Sequence, residues 1–257
     1  MIASLLLSSL AHALAPADVN PTIAAFNAGS VFDIPELSDS QRDRLLRGDV
    51  VRLLHPVEDG NYQVVGLLLV PLPKRQVWIA GQDPHFTSSA AVEKRLTKSG
   101  DTAMWYGFLD LPMGFSDRHW VVDVWNNHDL AAASDNKMWE HPWRLRPGGL
   151  DMARPYVERG EVGSLTVEQL DGAIFTPYNQ GALGFVAVSD EETLLIYHAT
   201  SAVGGNIPER LMAEFARSTI NSFLKKIAKT ASDTVTTHYT VSHVVMLGGD
   251  GQPVPRY

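Results

Sequence analysis

PERLMAEFARSTINSFLKKIAKTA, Pro208–Ala231, is the stretch from which the fold is read. At ~100° per residue, Met212, Phe215, Ala216, Thr219, Ile220, Phe223, Leu224 and Ile227 fall within an arc of about 180°. Arg210, Glu214, Arg217, Asn221, Lys225 and Lys229 occupy the opposite side. Pro208 suits a first helical turn, where its missing N–H is no loss, and Lys225, Lys226 and Lys229 complement the negative end of the helix dipole. The spacing predicts a long amphipathic helix whose broad apolar face needs a cover.

The preceding sequence supplies that cover as strands. Thr193–Ala202 and Leu183–Val188 are joined by the Ser189–Glu192 turn, and Asp49–Val57 and Tyr62–Val70 flank a turn around Asp59-Gly60, which makes a hairpin. Ala91–Thr97, Ala103–Leu109, His119–Asn126 and Met138–Leu145 are further strand-like runs. Within His119–Asn126, period-two alternation puts Trp120, Val122 and Val124 on one face. His119, Val121, Asp123 and Trp125 share the other, which is expected to be a solvated outer face. Short turns between successive strands favour an antiparallel sheet over a βαβ series. Two short helices punctuate the early strands: Ser38–Arg47, capped by Ser38 or Asp39 and stopped at Gly48, and Lys74–Gly81, with Val77 and Trp78 as core contacts. Asn126–Pro155 is loop-rich apart from Met138–Leu145, and residues 232–257 are expected as one more strand over Thr237–Leu247 or as a loose tail.

Composition narrows the function classes. The 257 residues are 45% hydrophobic and 19% charged, a globular make-up that suits one large domain with trimmings as well as two small ones. Lys+Arg of 21 against Asp+Glu of 29 gives a net charge of −8 with no block of like charges, so the clustered basic face that nucleic acid requires is missing. Cys is absent, which removes disulfides, thiol catalysis and thiolate metal sites. Beyond the N-terminus the longest apolar run, Val64–Leu72, contains a Pro and falls short of the ~20 residues that span a bilayer.

The N-terminus reads as an address. Met1–Ala17, MIASLLLSSLAHALAPA, is uncharged and centres on Leu5–Leu10, and both Ala11-His12-Ala13 and Ala13-Leu14-Ala15 have the small-x-small pattern of a signal-peptidase site. Pro16 disfavours the second, so a leader over residues 1–15 is expected with cleavage after Ala13 and export to a bacterial periplasm. Residues 16–47 then form an N-terminal segment with a short helix, 48–231 the main domain and 232–257 the C-terminal strand or tail.

Motifs that would carry catalysis fail. There is no G-x-S-x-G, H-E-x-x-H, P-loop or G-x-G-x-x-G. Ser222-Phe-Leu-Lys225, Ser134-Asp-Asn136 and Lys98-Ser-Gly100 match β-lactamase motifs in reverse chain order, with Ser222 on the polar side of the long helix. The nine His residues show no metal-ligand rhythm, and no metal or cofactor is expected. An acid–base pair at His119 and Asp123 would have no nucleophile or oxyanion hole near it. The architecture itself points to a cavity. A single sheet curving around one broadly apolar helix leaves a gap that side chains need not fill, and such gaps take apolar ligands.

Three stretches resemble the START (StAR-related lipid-transfer) domain of the helix-grip superfamily. Leu109-Asp-Leu-Pro112 followed by Phe115-Ser-Asp-Arg118-His-Trp-Val121 is similar to the family's Pro-containing strand end and S-x-R-D-[FY] strand start. Tyr197–Pro208, YHATSAVGGNIP, is similar to the last strand, its Gly-containing turn and the Pro that opens the C-terminal helix, which then sits where the family places its cavity-covering helix. The likeness covers Gly48–Ala231. It implies an α+β helix-grip fold, a curved antiparallel sheet wrapped around the long helix, with short helices after the first strands. It also implies a soluble, monomeric carrier of a lipid, sterol-like or fatty-acyl ligand, with transient membrane contact and no catalytic step. Arg118, Trp120, Val122 and Phe185 from the sheet and Met212, Phe215, Ala216, Thr219 and Phe223 from the helix are the expected ligand-binding residues. The family's Asp after the Arg is His119 here, and the basic residue six positions beyond the Arg is Val124. Arg118 is therefore expected either at a ligand head group or in a strand-end salt bridge. The alternatives are a cyclase or aromatase of the same superfamily, which would need an inward acid–base residue that Trp120, Val122 and Val124 do not offer, and a protein-binding module without ligand.

Overall fold

A computed structural model describes residues 14–57, 61–82, 92–111, 115–202 and 204–257. The chain opens with α1 (Pro16–Asn27) and α2 (Asp39–Leu46), where the Gln41 side chain accepts the Ser38 N–H and Gly48 ends the element at φ 79°. The hairpin β1 (Val51–Pro56) and β2 (Tyr62–Val70) and the helix α3 (Lys74–Gln82) follow, then β3 (Val92–Ser99), β4 (Thr102–Leu109) and β5 (Arg118–Val124). After α4 (His128–Ala133) and β6 (Met138–Leu145) come α5 (Leu150–Glu158), α6 (Val167–Gly172) and the two-residue β7 (Ile174–Phe175). The chain continues with β8 (Tyr178–Ser189), β9 (Glu192–Ala202), α7 (Glu209–Asp233) and the single turn α8 (Val235–His238).

The strands form one sheet in the order β1-β2-β9-β8-β6-β5-β4-β3, antiparallel throughout, with β7 adding a parallel pair to β5. The register fixes the faces. Val64, Gly66 and Leu68 of β2, Leu195 and Tyr197 of β9, Leu183 and Phe185 of β8 and Trp139 of β6 point to the inner face, where α3 and α7 pack. A Cβ on Gly66 would lie 2.2 Å from Ile220 Cγ2, so the glycine lets α7 settle directly onto β2. The outer face is closed twice. Val19, Ile23 and Phe26 of α1 and Leu45 of α2 cover Val51, Val65, Leu67 and Ile196 at one end, and Ala153, Val157 and Leu170 of α5 and α6 cover Met104, Tyr106, Phe108 and Val121 at the other. The outer face also holds a buried polar knot. The Glu140 carboxylate, fully buried, accepts the Ser30 hydroxyl at 2.5 Å, the Asn127 amide at 2.6 Å and the Val31 N–H at 3.2 Å, and pins the segment after α1 to β6.

Several expectations are corrected. α4 and the start of α5 are helices within the stretch read as loop-rich, and α1 and α6 are helices that the sequence reading did not place. Of the two alternatives for residues 232–257, the tail holds and the strand over 237–247 does not. These residues make the α8 turn and an irregular tail with one isolated bridge, Leu247 to Pro253. His119 is buried, not solvated, because α6 and β7 cover that end of the outer face; its ring packs edge-on against Tyr106 and Phe175. Asp123 pairs with Arg146 at 2.8 Å and not with His119. Residues 1–13, which carry most of the expected leader and its preferred cleavage site, lie outside the described residues, as do the Asp59-Gly60 turn, Pro112 and Val203.

Candidate ligand-binding face

α7 rests chiefly on β2, flanked by β1 and β9, with α3 alongside. Its sheet-facing stripe is Ala213, Ile220, Leu224, Ile227 and Ala231, all buried. One edge carries Arg210, Glu214 and Arg217, which with Arg52 and His55 line a polar groove of about 460 Å³ against β1. The opposite edge carries Met212, Ala216 and Phe223, all half-buried, with Phe223 edge-on to Tyr197 at 5.5 Å. That edge looks across the remaining inner face of the sheet. There the register places Trp143 and Leu145 of β6, Trp120, Val122 and Val124 of β5, and Ala103, Trp105 and Gly107 of β4 side by side. Trp105, Trp120, Trp143 and Leu145 stay half-buried although they point inward. Their residual exposure leaves a floor of apolar surface along this part of the sheet.

The expected site residues divide accordingly. Trp120 and Val122 lie on this floor, Val122 buried beneath its neighbours, and Met212, Ala216 and Phe223 lie on the helix edge that faces it. Phe185 is fully buried under Trp78 at a ring distance of 5.0 Å, so it belongs to the solid core below α3. The helix is rotated from the expected arc. Phe215 is 48% exposed and Thr219 is exposed at the outer margin, its hydroxyl donating to the Ala216 carbonyl at 2.9 Å. Arg118 is buried at the end of the floor and donates to the Ser116, Asp117 and Gly204 carbonyls at 2.5, 3.2 and 2.8 Å. It thereby ties the start of β5 to the Gly204-Gly205 turn that feeds α7, both glycines at positive φ.

Sequence reasoning missed Trp105, Trp143 and Tyr197. Period-two parity within the predicted strands would have found the last two once the inner face of β6 and β9 was assigned. Tyr197 and Trp143 tilt against each other at 5.7 Å, and the Trp143 indole N–H donates to Asn179 at 3.0 Å. Burial pushes the Tyr197 hydroxyl up to about 12, with the Glu93 carboxylate adding to the effect, so it remains a neutral donor. His141, next to Trp143 on the same strand face, is pushed down to about 4 by burial and stays neutral, its Nδ1 2.8 Å from Asn126 Oδ1. The tail closes the α3 end of the face. The Trp78 indole donates to the Leu247 carbonyl at 3.0 Å, Gly248 and Gly249 lie against the Trp139 ring, and Asn126 donates to the Gly248 carbonyl at 2.8 Å. Among the described residues no cluster of three or more His, Asp or Glu could hold a metal ion, and no helix is long and apolar enough to cross a membrane.

This combination, a curved antiparallel sheet closed on its inner side by a long C-terminal helix, defines a helix-grip protein. No protein-family model matches the sequence, and none of the curated proteins compared does. Among solved structures, the chain is similar to a STAR-related lipid transfer protein from Xanthomonas axonopodis, with a TM-score of 0.53 at 15% identity over 71% of this chain and 93% of that one. It is also similar to human StAR-related lipid transfer protein 5 (0.51, 12% identity, 84% and 96%) and to human STARD10 (0.51, 8% identity, 80% and 84%). At these identities the likeness establishes the fold. The chain has the START-type helix-grip fold.

Proposed function

We propose that the chain binds a hydrophobic small molecule on the inner face between α7 and strands β4–β6, as a non-catalytic carrier. The observation that supports this most directly is the floor of half-buried Trp105, Trp120, Trp143, Leu145 and Tyr197 beside the Met212–Ala216–Phe223 edge of the helix. Open apolar surface of this kind is costly in water and becomes favourable when a ligand covers it, at roughly 25 cal/mol per Å², so several hundred Å² yields several kcal/mol before ordering costs. The solved structures of the same fold include proteins described as lipid transfer proteins, which agrees with this use of the face. The polar groove on the other edge of α7, with three arginines and two carboxylates, has the wrong lining for such a ligand. Export ahead of residue 16 is part of the same proposal, since a carrier of apolar cargo works across an aqueous compartment. Native mass spectrometry of protein purified gently from its source tests the reading, with a bound apolar mass expected. Ala216→Trp sharpens the test. In a filled core the new ring would cost ~1–3 kcal/mol by overpacking. At the half-buried edge it occupies open space, so the melting temperature holds while uptake of a fluorescent fatty acid falls. A variant that melts lower yet takes up the fatty acid normally would refute the site.

A further inference from the structure

Two glycines shape the floor in the same way. Gly107 of β4 lies directly opposite Trp120 of β5, and a Cβ there would sit 2.4–2.6 Å from Trp120 Cε2, Nε1 and Cζ2. Gly181 of β8 lies directly opposite Trp143 of β6, and a Cβ there would sit 2.4 Å from Trp143 Cζ2 as well as 2.3 Å from the His198 carbonyl. Each glycine therefore leaves a hollow in which the neighbouring indole lies down on the sheet instead of standing up from it. A Trp that lies down turns one ring face to the backbone and the other to the space above. Both rings are half-buried, as that posture requires. Trp105 contrasts with them, because the Arg95 guanidinium sits 5.8 Å above its ring.

We infer that the ligand of this face carries two aromatic ring systems joined by an apolar spacer, and that Trp120 over Gly107 and Trp143 over Gly181 are its two stacking platforms. The inference rests on the reading of the inner face as an apolar-ligand site and adds the ligand's class. Two observations carry it. Flat indoles reward planar π faces by offset stacking, which a flexible acyl chain cannot exploit. The platforms also lie well apart. From Gly107 to Gly181 is three strand spacings across the sheet and four residues along β5, from Trp120 to the Val124 that faces Trp143, which is roughly 15–20 Å on a curved sheet. The ground between is aliphatic, Val122 and Leu145 being cross-strand partners there. At the Trp143 end, Tyr197 tilts against the indole, Phe223 stands edge-on to Tyr197, and the Tyr197 hydroxyl supplies a donor.

Three fluorescent probes separate the ligand classes: 1,10-diphenyldecapentaene, whose long polyene spaces its two rings to the platform separation, parinaric acid, an acyl chain, and dehydroergosterol, a sterol. Titrated into the full chain, diphenyldecapentaene is expected to bind tightest. Trp120→Leu and Trp143→Leu keep apolar bulk but remove the planar face, and each is expected to weaken diphenyldecapentaene about tenfold (~1.4 kcal/mol) while changing parinaric acid less than about threefold. Trp120→Phe and Trp143→Phe, which retain a flat ring and disturb the fold least, are expected to recover most of the loss. Parinaric acid or dehydroergosterol binding more tightly than diphenyldecapentaene, with the Leu variants indifferent, would overturn the aromatic assignment and leave the apolar-ligand site standing. Binding of none of the three would overturn both.

Discussion

Gly66→Ala places a methyl group where α7 meets the sheet. The new Cβ would lie 2.2 Å from Ile220 Cγ2 and 3.0 Å from Leu224 Cδ1, against an ordinary carbon contact of about 3.5–4 Å. Ile220 cannot swing aside, because a β-branched side chain in a helix has one strongly preferred χ1 rotamer and this one is buried. The helix must therefore lift locally by about 1 Å or more, and overpacking of this kind costs ~1–3 kcal/mol. For a chain of this size each kcal/mol lowers Tm by roughly 2–4 °C, so a drop of roughly 2–12 °C is expected in a thermal melt followed by circular dichroism. The decisive measurement is a double-mutant cycle. Ile220→Ala alone leaves a cavity and costs ~2–5 kcal/mol, but in the double variant the Gly66→Ala methyl enters part of that cavity, so the two effects should sum to less than their total by ~1 kcal/mol or more. Strict additivity, or a Gly66→Ala variant that melts like the parent, would mean that α7 does not seat on β2 as described. The edge carrying Met212, Ala216 and Phe223 would then lose its fixed position over the floor.

Glu140→Ala leaves the Asn127 amide and the Ser30 and Val31 donors buried around an empty site, and should cost ~3–5 kcal/mol, with amide hydrogen exchange rising first at residues 29–33. Burial holds the His119 pKa down at about 4, so the folded state resists a proton that the unfolded chain accepts near 6.5. Stability from this group is full above pH 7 and drains away as the pH falls from 6.5 towards 4, a loss on the order of 2–3 kcal/mol that His119→Phe should flatten in Tm–pH profiles. Truncation after Thr240 removes the carbonyl acceptor of the Trp78 indole and the glycine cover of Trp139, so tryptophan emission should shift to the red and Tm should fall. Unchanged emission would show that the tail does not cover those rings.

Much of the fold was legible because its strands and long helix have strong periods. Met138–Leu145 coincides with β6, and the 3.6-residue repeat located α7 to within two residues at either end. The short helices α2 and α3 were legible, α2 from its cap and glycine stop, but α1, α4, α5 and α6 were not, because their apolar residues are too few to set a period. α6 left a local signal, Thr166 and Gln169 in capping-box spacing, with the Thr166 hydroxyl accepting the Gln169 N–H at 3.2 Å, and α4 left another in Asn127, whose side chain accepts the Leu130 N–H at 3.1 Å. His119 was misplaced on the assumption that a sheet's second face meets water. Here that face is covered at both ends, so a polar residue on it can be buried. The rotation of α7 was missed because an apolar arc of about 180° is wider than the stripe a sheet contacts, and the sequence does not say which part of the arc is pressed down. Gly66 decides that by admitting Ile220. The floor depended on register. Parity puts Trp120 and Trp143 on the inner face, but only pairing shows that each lies opposite a glycine.

On the proposed reading, affinity at the Trp120–Trp143 part of this face comes from apolar and ring contacts. An acyl ligand with an anionic head would need a cation at an end of the floor; Arg95 stands exposed over Trp105 at the β3 edge, and the buried candidate is Arg118 at the start of β5. Its guanidinium, however, is buried and directed at the Ser116, Asp117 and Gly204 carbonyls, where it holds the turn into α7. Turning it to a ligand would leave those buried acceptors without their donor, at a cost of ~1–3 kcal/mol that offsets much of the gain. The two titratable groups beside Trp143 are held neutral, His141 by a lowered pKa and Tyr197 by a raised one, so at pH 7 they offer hydrogen bonds and no charge. What the Trp143 end offers, on this reading, is an indole, the tilted Tyr197 ring with its phenolic donor and Phe223 edge-on to that ring, a set that suits a planar ring bearing a hydrogen-bond acceptor.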